Sequence, residues 1–162
     1  MISMAAEKAK MIHARYPGLP FPIDMEYLAS AEGCEVVDWP FLAPVKEVKQ
    51  GRWIGIAEGV SRRERRYLIA HALAHQLLHC GNQLSFLQWQ KATVLKQEQE
   101  AEIFAAHILM PQPELDKVIN LPAWDLADYF DVPEKLVRER ISDFATEEEL
   151  ANWEEINWNV LP

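Results

Sequence analysis

The stretch RRYLIAHALAHQLLHC, residues 65–80, decides the fold. Nearly every position over 68–78 is apolar or histidine, so a helix formed here would be buried most of the way round. Ser61 and Glu64 precede it with the spacing of a capping box, which predicts where the helix begins. Gly81 predicts where it ends. The sequence therefore predicts a central helix surrounded by the rest of the protein.

Two histidines of this stretch, His71 and His75, are spaced as a metal-binding pair. Positions i and i+4 of an α-helix lie on one face, about 6 Å apart along the axis. Two imidazoles placed in this way can converge on one ion, with Zn–N distances of about 2 Å. A tetrahedral catalytic site needs a third protein ligand and keeps one position for water. That third ligand has to come from another segment of the chain.

The segment LKQEQEAEIFAAHILMP, residues 95–111, is the best source of the third ligand. It is predicted to be a helix, and Glu98 shares one helical face with Ala101 and Ala105. The small alanine side chains would let this helix pack closely against the histidine helix. Glu98 is therefore the favoured metal ligand, and Glu100 is the second choice.

Composition and charge exclude several classes of protein. The chain has 162 residues, of which 49% are hydrophobic and 25% are charged, as in an ordinary globular domain. Its net charge of −9 argues against direct binding of nucleic acid, which depends on contacts between basic residues and phosphates. Residues 1–18 lack the continuous apolar core of a signal peptide. Cys34 and Cys80 do not form a disulfide framework. We therefore expect a cytoplasmic protein without membrane contact, and the oligomeric state stays open.

The pattern of apolar residues predicts an α+β fold. Residues 34–59 have the β-branched and aromatic content of short strands. We expect these strands to form a small, twisted antiparallel sheet that packs on the two metal-binding helices. A single domain over residues 1–162 is predicted, with a core at 1–111 that contains the candidate ligands and a helical extension, similar to a helix-turn-helix, at 112–162.

Two motifs resemble those of a known family. RRYLIAHALAHQLLH is similar to the segment RFtlAHELGHlllH of the ImmA/IrrE-type metallopeptidases, and EQEAEIFAAHILMP is similar to their ExEAnxFAaxLLMP. Flanking segments extend the resemblance over most of residues 20–142. The resemblance implies a zinc-dependent HExxH peptidase whose members cut helix-turn-helix repressors. It implies His71, His75 and Glu98 as metal ligands, a transcriptional repressor or antitoxin-like regulator as the protein substrate, and zinc, manganese or another divalent ion as the metal.

The chain departs from the family motif at Ala72, where the HExxH glutamate would stand. That glutamate takes a proton from the metal-bound water and passes it to the leaving amine. Loss of a general base lowers the rate by about 10²–10⁴-fold, and a methyl group cannot accept a proton. We therefore expect a chain that binds metal and cleaves little or nothing. A natural pseudoenzyme and a deliberate replacement of the glutamate both explain Ala72, and the intact ligands favour the replacement.

Other histidines and charges have simpler interpretations. His79 and His107 are expected to be structural, although His79 is close enough to the pair to support a ligand instead. Four arginines at the start of the histidine helix oppose its dipole, so they form either a solvated face or a partner surface; they are Arg62, Arg63, Arg65 and Arg66.

Two rival functions stay open. The first is a metal-stabilised pseudopeptidase that captures a regulator without cutting it. The second is a transcription factor that uses the paired helices predicted at 123–141. The acidic side chains in that segment make an approach to DNA phosphates unfavourable; they are Asp125, Asp128, Asp131 and Glu134.

Overall fold

The computed structural model describes residues 3–79 and 91–160. Its elements in chain order are α1 Met4–Arg15, α2 Met25–Ala31, β1 Glu35–Trp39, β2 Glu47–Gln50, β3 Trp53–Ala57, α3 Arg62–Leu78, α4 Lys91–Leu109, α5 Gln112–Val118, α6 Ala123–Phe130, α7 Glu134–Ile141 and α8 Glu147–Val160. Cys80 and the predicted helix end at Gly81 lie outside the described residues. Among the helices of the described ranges, none combines the length and the apolar character needed to cross a lipid bilayer.

Helix α3 lies at the centre of the fold, as its apolar pattern predicts. Its N-terminus is capped by the Ser61 hydroxyl, which accepts a hydrogen bond from the Glu64 backbone N–H at 3.1 Å. Its buried residues include Leu73 and Ala74, and it packs against α4, α2 and the sheet. The predicted start of the histidine helix is confirmed.

The three strands form one sheet in the order β1-β3-β2. The α+β class is confirmed, but the prediction of an antiparallel sheet is wrong for one pair: β1 and β3 run parallel, whereas β2 and β3 run antiparallel. The segment 40–46 contains Pro40 and Pro44, which cannot donate backbone hydrogen bonds to a ladder. It carries the chain to the far edge of the sheet, so the β2–β3 hairpin places β3 beside β1 in the same direction.

Helices α6 and α7 are joined by a tight turn that is fixed to α3. Asp131 ends α6 in the left-handed conformation, with φ 55° and ψ 53°. Its carboxylate lies 2.6 Å from Arg62 Nη2, and the Arg63 guanidinium lies 2.6 Å from the Asp128 carboxylate. Arg66 donates to the Asp131 carbonyl oxygen at 3.0 Å. These arginines therefore form ion pairs within the protein, while the side chain of Arg62 stays largely exposed to solvent.

One cluster of buried side chains includes residues from both sides of the predicted boundary between 111 and 112. Ile12, Leu73 and Phe104 from the predicted core belong to it, together with Phe130 and Val137 from the predicted extension. The division of the chain into a core and an extension stays a prediction.

Candidate metal centre

Three side chains from α3 and α4 converge at one point of the structure. His71 Nε2 lies 3.2 Å from Glu98 Oε2, and His75 Nε2 lies 3.2 Å from Glu98 Oε1. One nitrogen or oxygen atom from each of the three residues lies within 4.8 Å of the other two. The imidazole rings are nearly perpendicular, with centroids 4.9 Å apart and an interplanar angle of 82°. Two imidazole nitrogens and one carboxylate form a donor set that Zn²⁺ accepts.

The packing of α3 against α4 brings these side chains together. Helices α3 and α4 pack against each other, and both carry alanines with no exposed surface, among them Ala74 on α3 and Ala101 and Ala105 on α4. An alanine adds only one carbon beyond the backbone, so the helices approach closely and the Glu98 carboxylate reaches both imidazoles. The burial of Ala101 and Ala105 and the packing of α4 on α3 agree with the close approach expected from the sequence.

The neighbouring glutamates of α4 lie elsewhere. Glu100 Oε2 lies 2.8 Å from Nε2 of His79, one turn beyond the histidine pair. The three-residue cluster with metal-ligand geometry contains Glu98 and neither Glu100 nor Glu102. Among the described carboxylates, Glu98 therefore has the geometry of a third ligand. The metal-binding roles of His71, His75 and Glu98 stay predictions.

The charges around His71 favour a cation. Burial opposes protonation of this imidazole, but hydrogen bonds to Glu47 and Glu98 outweigh burial and raise the pKa of His71 to about 10. Hydrogen bonds from His71 and His75 lower the pKa of Glu98 well below its usual range. The pairing of His71 with Glu98 contributes to both shifts, and Glu47 adds a second carboxylate that stabilises positive charge on His71.

Glu47 on strand β2 is the residue that the sequence analysis missed. Its Oε2 atom lies 2.9 Å from Nδ1 of His71, and both side chains are mostly buried, with 13% and 14% of their surface exposed. Tyr67, one turn before His71, places its ring 5.9 Å from the imidazole, centroid to centroid. Residues of β2 alternate between partly buried and exposed, and Glu47 lies on the partly buried side. The sequence does not indicate this, because a strand pattern would turn the apolar Val48 inward, and Val48 is exposed.

Ala72 is fully buried and belongs to the hydrophobic core. Its side chain is a methyl group, which offers neither a proton acceptor nor a hydrogen-bond partner. Position 72 therefore contributes packing to α3, and the proton acceptor that the HExxH pattern places there is missing from this chain.

Two further features lie away from the centre. His107 is buried, and its Nε2–H donates to the Phe144 carbonyl oxygen at 2.7 Å, in agreement with the structural role expected for it. A cavity of about 470 Å³ lies beside His13, Phe21 and Ile108, and none of the three candidate ligands lines it. The three candidate ligands, and not this cavity, mark the candidate functional site, because a cavity alone specifies no chemistry.

Comparison with known proteins places these features in a family. The family model of the IrrE N-terminal-like domain, Peptidase_M78, matches residues 33–142. A solved structure of a Mycobacterium tuberculosis transcriptional regulator is similar, with a TM-score of 0.63 and 18% sequence identity, over 85% of this chain and 46% of that chain. At this identity the likeness concerns the fold alone, and this chain spans less than half of the regulator. Comparison with proteins of curated function gives no match.

Proposed function

The chain belongs to the IrrE N-terminal-like domain family, Peptidase_M78, and we propose that it is a zinc endopeptidase for a regulatory protein whose chemistry is disabled by Ala72. The expected substrate is a helix-turn-helix repressor or an antitoxin-like regulator. The family match suggests a metallopeptidase-type hydrolase, and the finer terms of the proposal rest on the geometry of the site and on the resemblance of its motifs.

The observation that carries the proposal is the meeting of His71, His75 and Glu98. Two neutral imidazoles and one carboxylate would hold a divalent ion with a net charge of +1 and leave a coordination position for water. A bound zinc ion supplies Lewis acidity, which lowers the pKa of water and polarises a peptide carbonyl. The chain itself supplies the ligands and their orientation. Manganese or another divalent ion can also bind to two imidazoles and one carboxylate.

The missing step is proton transfer. Peptide hydrolysis needs a group that removes a proton from water and delivers it to the leaving amine. Ala72 provides no such group, and Glu98 and Glu47 are both engaged with His71. We therefore expect metal binding and substrate recognition to persist while cleavage is slower by about 10²–10⁴-fold than in a chain with a glutamate at position 72.

The test restores the carboxylate. Zinc-loaded Ala72→Glu is incubated with a peptide library prepared from a digested proteome, and new N-termini are counted by mass spectrometry. Ala72→Gln is the matched control, because glutamine has nearly the same shape and no basic oxygen. We expect at least about 10²-fold more cleavage with glutamate than with glutamine. The double variant Ala72→Glu/His71→Ala should be silent, since it lacks a ligand.

A binding function is the competing proposal, and the methyl group at position 72 favours it directly. A pseudopeptidase would keep its metal for structural reasons and capture a regulator without cutting it. If folded, zinc-loaded Ala72→Glu cleaves no more than Ala72→Gln, with both the peptide library and intact helix-turn-helix repressors, the enzyme proposal is wrong and the binding function is supported.

A further inference from the structure

Both candidate ligand histidines have their second ring nitrogen engaged by the protein. Nδ1 of His71 lies 2.9 Å from Oε2 of Glu47. Nδ1 of His75 lies 3.2 Å from Nδ1 of His79, whose Nε2 in turn lies 2.8 Å from Oε2 of Glu100. The Nε2 atoms of both ligands face the Glu98 carboxylate. Glu47 therefore contacts the second ring nitrogen of His71, and His79, together with Glu100, contacts the second ring nitrogen of His75.

We propose that Glu47 and the His79–Glu100 pair are positioning residues, which hold His71 and His75 in the tautomer and orientation that present Nε2 to a single divalent ion. This inference rests on the metal site of the proposed function. It assigns roles to a strand carboxylate, to a histidine after the end of α3 and to the glutamate that was the second choice as ligand.

The contact between Glu47 and His71 selects one tautomer for a metal-bound imidazole. A ligand nitrogen must offer its lone pair to the metal, so the other nitrogen of a neutral imidazole carries the proton. A carboxylate oxygen accepts a hydrogen bond from Nδ1–H, whereas a lone pair on Nδ1 would be repelled by it. Glu47 therefore favours the form of His71 in which Nδ1 is protonated and Nε2 is free to bind.

The hydrogen bonds from Glu100 through His79 to His75 select the corresponding tautomer of His75. The Glu100 carboxylate accepts a hydrogen bond from Nε2–H of His79, which leaves Nδ1 of a neutral His79 as an acceptor. That acceptor lies 3.2 Å from Nδ1 of His75. Nδ1 of His75 therefore carries the proton, and its Nε2 faces the ion. The reverse order would place a lone pair of His79 against the Glu100 carboxylate.

The fold fixes the position of His79 beside His75. His79 is the C-cap of α3, with φ −126° and ψ 130°, and its backbone N–H still donates to the His75 carbonyl oxygen at 3.2 Å. The backbone thus leaves the helix at His79, while the His79 ring stays beside the His75 ring, with centroids 5.3 Å apart. Only 9% of the His75 side chain and 8% of the His79 side chain are exposed, so water competes poorly for these hydrogen bonds.

The first test measures zinc affinity by competition with a chromophoric chelator, so its readout does not depend on peptidase activity. Glu47→Ala and Glu100→Ala should each weaken zinc binding by about 10-fold to 100-fold. Glu47→Gln should lose less, because its amide oxygen still accepts from Nδ1–H. Glu35→Ala, which removes an exposed carboxylate of β1 that pairs with Arg52 at 3.6 Å, is the matched control and should leave the affinity unchanged.

The second test observes the tautomers. In zinc-loaded protein labelled with ¹⁵N at histidine, we expect Nε2 of His71 and His75 to be bound to the metal and Nδ1 to be protonated. In Glu47→Ala the His71 signals should change while those of His75 stay, and Glu100→Ala should give the reverse. Zinc bound through Nδ1 of either ring would overturn the proposal.

The outcomes separate this inference from the proposed function. If the unchanged protein binds one zinc ion through His71 and His75, and the folded Glu47 and Glu100 variants bind it equally well, the positioning roles are wrong and the metal site stands. If the unchanged protein binds no zinc, both proposals are wrong.

Discussion

Arg140 and Glu149 form an ion pair without access to solvent, with 0% and 1% of their side chains exposed. Arg140 Nη1 lies 2.8 Å from Glu149 Oε2, and Arg140 Nε donates to the Met110 carbonyl oxygen at 3.2 Å. Glu149 also accepts from the Thr146 backbone N–H at 2.8 Å, and the Thr146 hydroxyl accepts from the Glu149 N–H at 3.2 Å. This capping box starts α8, so the pair connects α7, α8 and Met110 at the end of α4.

Removal of either partner should therefore destabilise the protein strongly. We expect Arg140→Ala and Glu149→Ala each to lower the free energy of unfolding by about 3–5 kcal/mol, because the remaining charge would be buried without its counterion. Urea unfolding followed by circular dichroism measures this loss. The exposed pair of Arg138 and Glu134 on α7 is the matched control, and Arg138→Ala should change stability by less than about 1 kcal/mol. Similar losses at both pairs would contradict the prediction.

The turn at Asp131 combines an unusual backbone conformation with ion pairs, and two substitutions separate these contributions. Asp131→Asn tolerates the left-handed conformation and removes the charge that faces Arg62, so we expect a loss of about 1 kcal/mol. Asp131→Ala removes the charge and adds backbone strain of about 1 kcal/mol or more. Denaturant unfolding of the two variants should therefore rank alanine below asparagine. Equal stabilities would show that the backbone conformation at this turn is not strained for alanine.

Metal binding should follow the ligand geometry of α4. At a zinc concentration of about 100 times Kd, the unchanged protein should gain about 2.7 kcal/mol in the free energy of unfolding. Glu98→Gln should lose most of this gain, whereas Glu102→Gln, one turn further along the same helix, should keep it. Elemental analysis of the purified proteins, with His71→Ala as the metal-free reference, checks the same point and identifies the native metal. Equal metal content in His71→Ala and the unchanged protein would place the ion elsewhere.

The sequence predicted those features that depend on local spacing. The N-cap hydrogen bond between Ser61 and Glu64 joins residues three positions apart, and the convergence of His71 and His75 follows from helix geometry. The proximity of Glu98 to both histidines could be predicted as well, because the alanines on its helical face indicate which side of α4 is buried. Such features are visible before the tertiary structure is known.

The features that were missed depend on contacts between distant segments. Glu47 is separated from His71 by 24 positions, and Arg62 from Asp131 by 69. No periodicity links such residues, because their distance is set by how the sheet and α6 dock onto α3. The parallel pairing of β1 with β3 was missed for the same reason, since it depends on the path of the connection at 40–46 and not on the strands themselves.

His107 gives the protein a stability that depends on pH. Burial and the nearby Arg140 guanidinium lower the pKa of His107 to about 4, although the hydrogen bond to the Phe144 carbonyl oxygen opposes the shift. The pKa of a histidine in an unfolded chain is about 6.5. Between this pKa and that of the folded protein, the unfolded chain therefore binds the proton more readily than the folded protein does. Stability from this residue is therefore complete above about pH 6.5 and falls as the pH approaches about 4.

The His107→Gln variant isolates this effect, because the glutamine amide can still donate to the Phe144 carbonyl oxygen and does not titrate. With a chelator present, the free energy of unfolding is measured in urea at about pH 7 and about pH 5 for both proteins. Acidification should destabilise the unchanged protein by about 2 kcal/mol more than His107→Gln, since one pKa unit corresponds to about 1.4 kcal/mol. Acid-sensitive groups far from His107 contribute equally to both proteins and cancel in the difference, whereas Glu149 interacts with His107 and its contribution belongs to the measured effect. The same pH dependence in both proteins would show that His107 binds its proton equally well in the folded and unfolded states.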